Sequence, residues 1–387
     1  MPLIYLDNQA STPVDPRVVE VMAPLWAESC GNPHSEEHFA GWSAKATIDR
    51  ASAQIATALG ADASEIVFTS GATEANNLAL IGAAAGGSSG HRKRIIVAAI
   101  EHKSVLSIAR HLEQRTDIEI AHCPVDAMGR VEVRELERLI DSNTLLVSVG
   151  SSNGEIGTVQ PIAEIGAIVR EAGAIMHSDA AQSACFQDLS VLYDNCDLLS
   201  LSAHKCYGPK GIGCLVINAG VREKIAPIMF GGGQQGGLRP GTVPVQLAAG
   251  FGKSIELVQS DRSSEIVQTS RLRDRLDRLL REKCAGVSTN GPTEGRHPGN
   301  LNIRFEGVDA KSLLAAIQPS VAASTGSACT SGQEEPSHVL GAVGLSWAEA
   351  RECVRFSVGR FNCETEVDQA AVLISEAVGR LRKYEVA

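Results

Sequence analysis

Between about residue 50 and residue 220, short apolar runs alternate with stretches of helical periodicity. Residues 65–70 (EIVFTS) are predicted as a strand and residues 72–84 as the helix after it. Residues 94–100 (RIIVAAI), 145–150, 174–178, 198–202 and 214–217 read as further buried strands. Apolar runs of this length separated by helices predict a largely parallel sheet inside an α/β domain. The stretch 86–90 (GGSSG) predicts a surface loop between helix and strand. Near residue 253 the texture changes. Residues 270–283 are charged and place Leu272, Leu276, Leu279 and Leu280 on one helical face, the stripe of a packing helix. A strand at 301–305, a helix at 311–317, a strand at 354–358 and a closing helix at 364–382 complete a smaller α+β unit. The expected organisation is a large α/β domain over 16–255 and a smaller α+β domain made from 1–15 and 256–387.

A length of 387 residues exceeds what one small core needs, so two domains are the natural expectation. No apolar run reaches the roughly 18–20 residues that span a bilayer, and the start, MPLIYLDNQASTPVDP, lacks the basic-then-apolar order of a secretory signal. The formal net charge of −10 argues against a general nucleic-acid binder. Ten cysteines occur and none forms a C-x-x-C pair, so zinc spacing is absent and no metal is expected. Free thiols without a signal fit the reducing cytoplasm. Most of these cysteines are expected to be small buried hydrophobes, with Cys329 the exception.

Candidate chemistry follows the strand ends. Ser70-Gly71-Ala72-Thr73-Glu74 stands where a strand turns into a helix, so it serves either as a plain cap or as an anion site at a helix N-terminus. His102, in Glu101-His102-Lys103, is either a hydrogen-bonded loop histidine or a group that stacks on a flat ring and moves protons. Asp179 and Lys205 both close apolar strands, unusual places for charged groups. Two readings fit them. One is a buried ion pair. The other is pyridoxal phosphate, with the lysine as Schiff base and the aspartate protonating the pyridine nitrogen. Cys329 lies in Ser324-Thr325-Gly326-Ser327-Ala328-Cys329-Thr330-Ser331, a Gly/Ser/Thr-rich run that reads as a loop presenting an accessible thiol.

The segments TSGATEANN, EHKSV, HSDAAQS, SLSAHKCYGPKGIG, LRPGTVPV, STGSACTS and VRFSVGRF occur in that order over residues 69–361, after an opening YLDNQASTPVDPRV. Together they resemble the cysteine desulfurases of the NifS type, within the fold-type-I pyridoxal-phosphate enzymes and the class V aminotransferases. The resemblance implies that Lys205 carries the cofactor, that Asp179 pairs with the pyridine nitrogen, and that Gln182 and Asn153 serve the phenolic oxygen. It puts His102 over the ring, and Ala72, Thr73, Ser202 and His204 around the phosphate. Thr242 is expected to reach the phosphate of a neighbouring subunit, which implies a homodimer. Arg355 matches the arginine that grips the substrate carboxylate, with Arg360 the second candidate and Asn153 beside it.

The implied reaction converts L-cysteine to L-alanine and leaves the sulfur as a persulfide on Cys329. An acceptor protein then takes it: an iron–sulfur scaffold, a tRNA-thiolation protein or a DNA-sulfur-modification protein. Neither a membrane nor direct nucleic-acid binding is expected. A selenocysteine lyase, a weakly active sulfur-transfer scaffold and an aminotransferase are the alternatives, and the last has no use for Cys329. Two positions depart from the family pattern: Gly154 stands where a second Asn is usual, and Gln235 where a Glu is usual.

Overall fold

The computed structural model describes residues 2–28, 30–86, 92–326 and 337–385. The chain opens with β1 (Ile4–Tyr5), α1 (Pro16–Ala27) and α2 (Phe39–Leu59). A run of strands and helices follows: β2 (Ile66–Thr69), α3 (Ala72–Gly86), β3 (Arg94–Ala98), α4 (Lys103–Arg115), β4 (Glu119–Cys123), α5 (Val133–Leu139) and β5 (Thr144–Ser148). It continues through α6 (Ile162–Glu171), β6 (Ile175–Asp179), α7 (Leu189–Asn195), β7 (Leu198–Ser202) and β8 (Gly213–Ile217). The long α8 (Val245–Lys283) leads to β9 (Val287–Asn290), β10 (Asn300–Phe305), α9 (Ala310–Ala316) and β11 (Val321–Ala322). Finally come α10 (His338–Ala342), α11 (Trp347–Ala350), β12 (Cys353–Ser357) and α12 (Glu364–Glu385).

The seven-stranded sheet has the order β2-β8-β7-β6-β5-β3-β4. It is parallel except at β8, which runs against both neighbours. The expected buried strands are all present, and β5, β7 and β8 are buried at every position. The edge strand β4 (EIAHC) gave no clear apolar run because most of its residues are half-buried or exposed. A second, antiparallel sheet β12-β10-β9 lies in the C-terminal part, and β1 pairs in parallel with β11.

Helix α8 starts far earlier than the expected 270–283. Glycines 250 and 252 hid its first half, since each costs about 1 kcal/mol in a helix. Both are required by packing. A Cβ on Gly250 would stand 2.4 Å from the Met22 sulfur, and one on Gly252 would stand 2.8 Å from the Ala51 Cα. The first half of α8 thereby lies close on α1 and α2. Ala248, Phe251, Ile255 and Val258 join the core beneath the large sheet. Leu272, Leu276 and Leu280 join a separate core with Ile303, Phe305, Phe356 and Ile374.

The N-terminal segment binds both parts together. Asp7 bridges to Ser357, Thr12 bonds the backbone of His204, and Asp15 accepts from Arg360 Nη1 at 2.5 Å. Arg360 also pairs with Glu265 of α8 and lies 4.4 Å over the Tyr207 ring. The side chains of Arg360, Asp15 and Glu265 are 9%, 2% and 10% exposed. Arg17, with Arg360 beside it, holds the Asp15 carboxyl well below the usual carboxylate range. Among the described residues no helix is long and apolar enough to cross a membrane.

Removing Arg360 leaves two buried carboxylates without their shared cation. Arg360→Met is therefore expected to destabilise the fold by about 3 kcal/mol, measured by urea unfolding at neutral pH. A loss below about 1 kcal/mol, the value of an exposed pair, would show that the cluster is not structural.

Candidate active site

The carboxyl ends of β2, β3, β5, β6 and β7 meet at one edge of the sheet, where open α/β sheets bind ligands. A cavity of about 700 Å³ opens there. Of the residues singled out above, Ala72, Thr73, His102, Asn153, Asp179, Gln182, Ser202, His204, Lys205 and Arg355 all line it. Thr242 and Arg360 do not. Arg360 is the buried structural cation described above. Cys329 lies outside the described residues, between Gly326 and Ser337, and Gly326 itself lines the cavity.

Asp179 ends β6. Its Oδ2 accepts from Asn76 Nδ2 at 2.8 Å, and its Oδ1 accepts from the Ala181 amide at 3.0 Å. Asn76 is fully buried on α3 and donates a second bond to Ser104 Oγ at 2.9 Å. Ser104 in turn meets His102 Nδ1 at 2.8 Å, and the Ser104 amide donates to the same nitrogen at 3.2 Å. An amide N–H donating to Nδ1 leaves the ring proton of neutral His102 on Nε2. One amide side chain thus ties the strand-end carboxylate to the exposed histidine. Asn76 carried a signal in the sequence: it is a polar residue inside the apolar stripe of Ala75, Ala79 and Ala83.

Glu101 was a second omission. It is 3% exposed, lines the cavity, and accepts from the Gly150 amide at 2.5 Å. Burial, with the Asp179 charge nearby, pushes its carboxyl up to about 8. Below Asp179 on the same strand face, His177 is fully buried between Ser148 Oγ (2.9 Å) and Ser200 Oγ (3.1 Å). Burial draws it down to about 4, so it is neutral.

Lys205 follows β7 in a single tight turn. Its Nζ donates to the backbone oxygens of Gln9 (2.6 Å) and Ala10 (3.0 Å). Burial, and then the charge of Arg355, lowers it to about 8. It therefore gives up its proton far more readily than an ordinary lysine. His204 Nδ1 meets Ser11 Oγ at 3.2 Å, and burial with the Lys205 and Lys210 charges draws it down to about 4. Gly71, with φ of 153°, takes a backbone angle that side chains disfavour and opens α3 toward Ser202. The first turn of α3, Ser202 and His204 form a cradle suited to an anion.

Arg355 stands on β12 and is 6% exposed. Its Nη1 donates to Gly154 O at 2.9 Å, and its Nη2 donates to Asp7 Oδ1 at 2.8 Å and Ser324 Oγ at 2.9 Å. Asn153 is engaged mostly in its own turn. Its Oδ1 accepts the amides of Glu155 (2.8 Å) and Ile156 (3.0 Å), and its Nδ2 donates to Ile100 O (3.1 Å). Gln182 Nε2 donates to Gln9 O at 3.0 Å.

Both departures from the family pattern have local causes. A Cβ on Gly154 would lie 2.7 Å from Gln182 Nε2, so Gln182 occupies the space a side chain at 154 needs. Gln235 accepts from the Phe68 amide at 2.6 Å and donates to the Phe68 oxygen at 2.9 Å. Only an amide serves both, because a carboxylate has no hydrogen to donate. Gln235 therefore clips its loop to β2, away from the cavity.

Residues 4–370 match the family described as Aminotransferase class-V. A cysteine desulfurase IscS of Rickettsia rickettsii is 44% identical over 379 residues, covering 98% of this chain and 92% of that protein. Among solved structures, a NifS-like protein superposes with a TM-score of 0.91 at 34% identity, covering 98% of this chain and all of that one. SspA in complex with cysteine superposes with a TM-score of 0.81 at 37% identity over 93% of this chain and 99% of that one.

The buried carboxyl of Glu101 makes stability depend on pH in a predictable direction. Folded, it holds its proton up to about pH 8, whereas the unfolded group releases it near its ordinary value of 4.5. Between these values the native state binds the extra proton, so stability falls as pH rises. Glu101→Gln should remove this slope and make the protein more stable relative to wild type at pH 8 than at pH 5, by on the order of a few kcal/mol. Urea unfolding at the two pH values checks it. Parallel curves for wild type and variant would refute a proton held at Glu101.

Proposed function

The chain belongs to the class V aminotransferase family, and within it we infer a pyridoxal-phosphate-dependent cysteine desulfurase, which converts L-cysteine to L-alanine and passes the sulfur on through Cys329. The observation that carries this reading is the convergence of Lys205, Asp179, His102 and Arg355 on one cavity. An aminotransferase needs these four groups too. The relatives named as cysteine desulfurases at 44% and 43% identity over nearly the whole chain, together with Cys329, favour sulfur chemistry.

The residues present fit the cofactor. Asp179 presents a carboxylate at a strand end, pinned by neutral donors and with no cation bonded to it among the described residues. The ring nitrogen of the cofactor, held protonated, would supply the missing charge. Lys205 would be the amine that holds the cofactor. Ala72, Thr73, Ser202 and His204 receive the phosphate, and Gln182 and Asn153 lie where the phenolic oxygen is expected. Thr242 is exposed and outside the cavity lining, while Arg239 just before it pairs with Glu74 of α3 at 2.8 Å. That placement supports a homodimer in which Thr242 serves the partner's phosphate. Exposed Phe39, Trp42 and Phe230 supply apolar surface for such an interface.

When bound, pyridoxal phosphate provides an electron sink for the bond broken at the substrate Cα. The protein does the rest. Arg355 orients the substrate carboxylate. Lys205, low in pKa and half-buried, is suited to take and return the Cα proton at Nζ. His102, fixed through Ser104 and Asn76, would offer Nε2 to the cavity for proton transfer. The Cys329 thiolate would attack the substrate sulfur: an S–S bond forms, the C–S bond breaks with its electron pair left on Cβ, Cβ takes up a proton, and the three-carbon product is released as alanine. An acceptor protein takes the sulfur: an iron–sulfur scaffold, a tRNA-thiolation protein or a DNA-sulfur-modification protein. Binding pyridoxal phosphate through the two large-core strand ends also agrees with a division into a large domain over 16–255 and a small one from 1–15 and 256–387.

Protein loaded with pyridoxal phosphate should absorb near the border of the visible and ultraviolet, and Lys205→Ala should abolish borohydride-stable attachment of the cofactor. Cys329→Ser should keep the cofactor and the spectral response to L-cysteine, yet lose alanine and sulfide formation by orders of magnitude. Wild-type rates in the Cys329→Ser protein would rule out the persulfide route.

A further inference from the structure

Gln9 is 3% exposed and lines the cavity beside Lys205 and Arg355. Nearly every polar atom it has is committed. Its amide donates to Ser357 Oγ at 2.9 Å, and its backbone oxygen accepts from Lys205 Nζ and Gln182 Nε2. Its Oε1 accepts from Asn300 Nδ2 at 2.6 Å. Only Nε2 is left, buried and without a partner.

The orientation of this amide is set by a chain of donors. Arg296 has no acceptor to offer, and its Nη2 donates to Asn300 Oδ1 at 2.6 Å. Asn300 must then turn its Nδ2 toward Gln9, which forces Gln9 to present Oε1 there and Nε2 away. A flipped Gln9 would set two N–H groups against each other. The free donor is therefore a consequence of the network.

Arg355 stands in a similar condition. Its Nη1 and Nη2 are bound to Gly154, Asp7 and Ser324, while its Nε is buried and unpartnered. Two N–H donors are thus left open in residues that line one cavity. A buried donor without an acceptor costs about 1–3 kcal/mol, and a bound anion with two oxygens relieves both. The phosphate end of the cavity is built elsewhere, by α3, Ser202 and His204.

We propose that Gln9 is a substrate-binding residue whose Nε2 donates, together with Nε of Arg355, to the carboxylate of the amino-acid substrate. The proposal rests on the cysteine desulfurase reading and adds to it a donor from the N-terminal segment. It also gives that segment a role in selecting α-amino acids over simple amines, since Gln9 holds Lys205 through its backbone and the carboxylate through its side chain.

The test uses the pyridoxal-phosphate-loaded full chain and two probes, L-cysteine and cysteamine, which lacks the carboxylate. Half-saturation is read from the cofactor's spectral change, and KM and kcat from alanine release. Gln9→Met should raise half-saturation and KM for L-cysteine roughly 10- to 100-fold, the range for losing one hydrogen bond to a charged group. It should leave cysteamine binding within about twofold and kcat little changed. Asn300→Ser retains Gln9 but releases its amide, and should produce a smaller loss of the same selective kind. Equal weakening of both probes, or no weakening of L-cysteine in either variant, would overturn the assignment. A wild type that responds to neither probe would instead remove the enzymatic reading, and the proposal with it.

Discussion

A carboxylate at the end of a buried strand must be held by donors, and the way Asp179 is held organises the site around it. Burying a charge costs several kcal/mol unless hydrogen bonds replace its water. Asn76 and the Ala181 amide replace it here, leaving Asp179 without a bonded cation among the described residues. Because Asn76 has two N–H groups, the bond that fixes Asp179 also fixes Ser104, and Ser104 fixes His102. Glu101, lodged beside this charge, is driven to keep its proton. The protein thus sets two carboxyls close together, past the end of β3 and at the end of β6, and burial makes Glu101 the one that holds its proton more tightly.

The N-terminal segment has a matching task. It carries Asp7, which pairs with Arg355, and Asp15, which pairs with Arg360. Both arginines belong to the C-terminal part of the chain, so the two ion pairs draw that part against the large sheet. Between them, the backbone oxygens of Gln9 and Ala10 receive the Lys205 ammonium. The segment is short and mostly without regular structure, yet it touches Lys205, Arg355 and the structural Arg360. A shift in it is felt at all three.

The exchange at Gly154 illustrates how tightly these parts share space. Without a side chain there, Gln182 moves in and bonds Gln9, and Arg355 reaches the Gly154 backbone oxygen. The absence of one Asn is thereby coupled to the placement of three other cavity residues. Gln235 has no such coupling, since its amide is closed on the backbone of β2.

The sequence by itself determined the α/β architecture, the strand ends and most of the site. Apolar runs of strand length are legible because burial on both faces leaves no alternation, and Asp179 and Lys205 stood out because charged residues rarely end such runs. Cys329 drew notice for the opposite reason, as a thiol outside any apolar pattern, and lies outside the described residues. The tertiary structure alone decided what depends on contacts between distant segments. The start of α8 at Val245 was hidden because its glycines answer to Met22 and Ala51 and not to helix propensity. Arg355 and Arg360 look alike in sequence, five residues apart on one motif, and only their surroundings separate a cavity-lining group from a buried structural cation. Asn76, Glu101 and Gln9 acquire their chemistry from hydrogen bonds to residues far along the chain, and the direction of an amide or the protonation of a carboxyl is fixed by those partners and by burial, which no local pattern encodes.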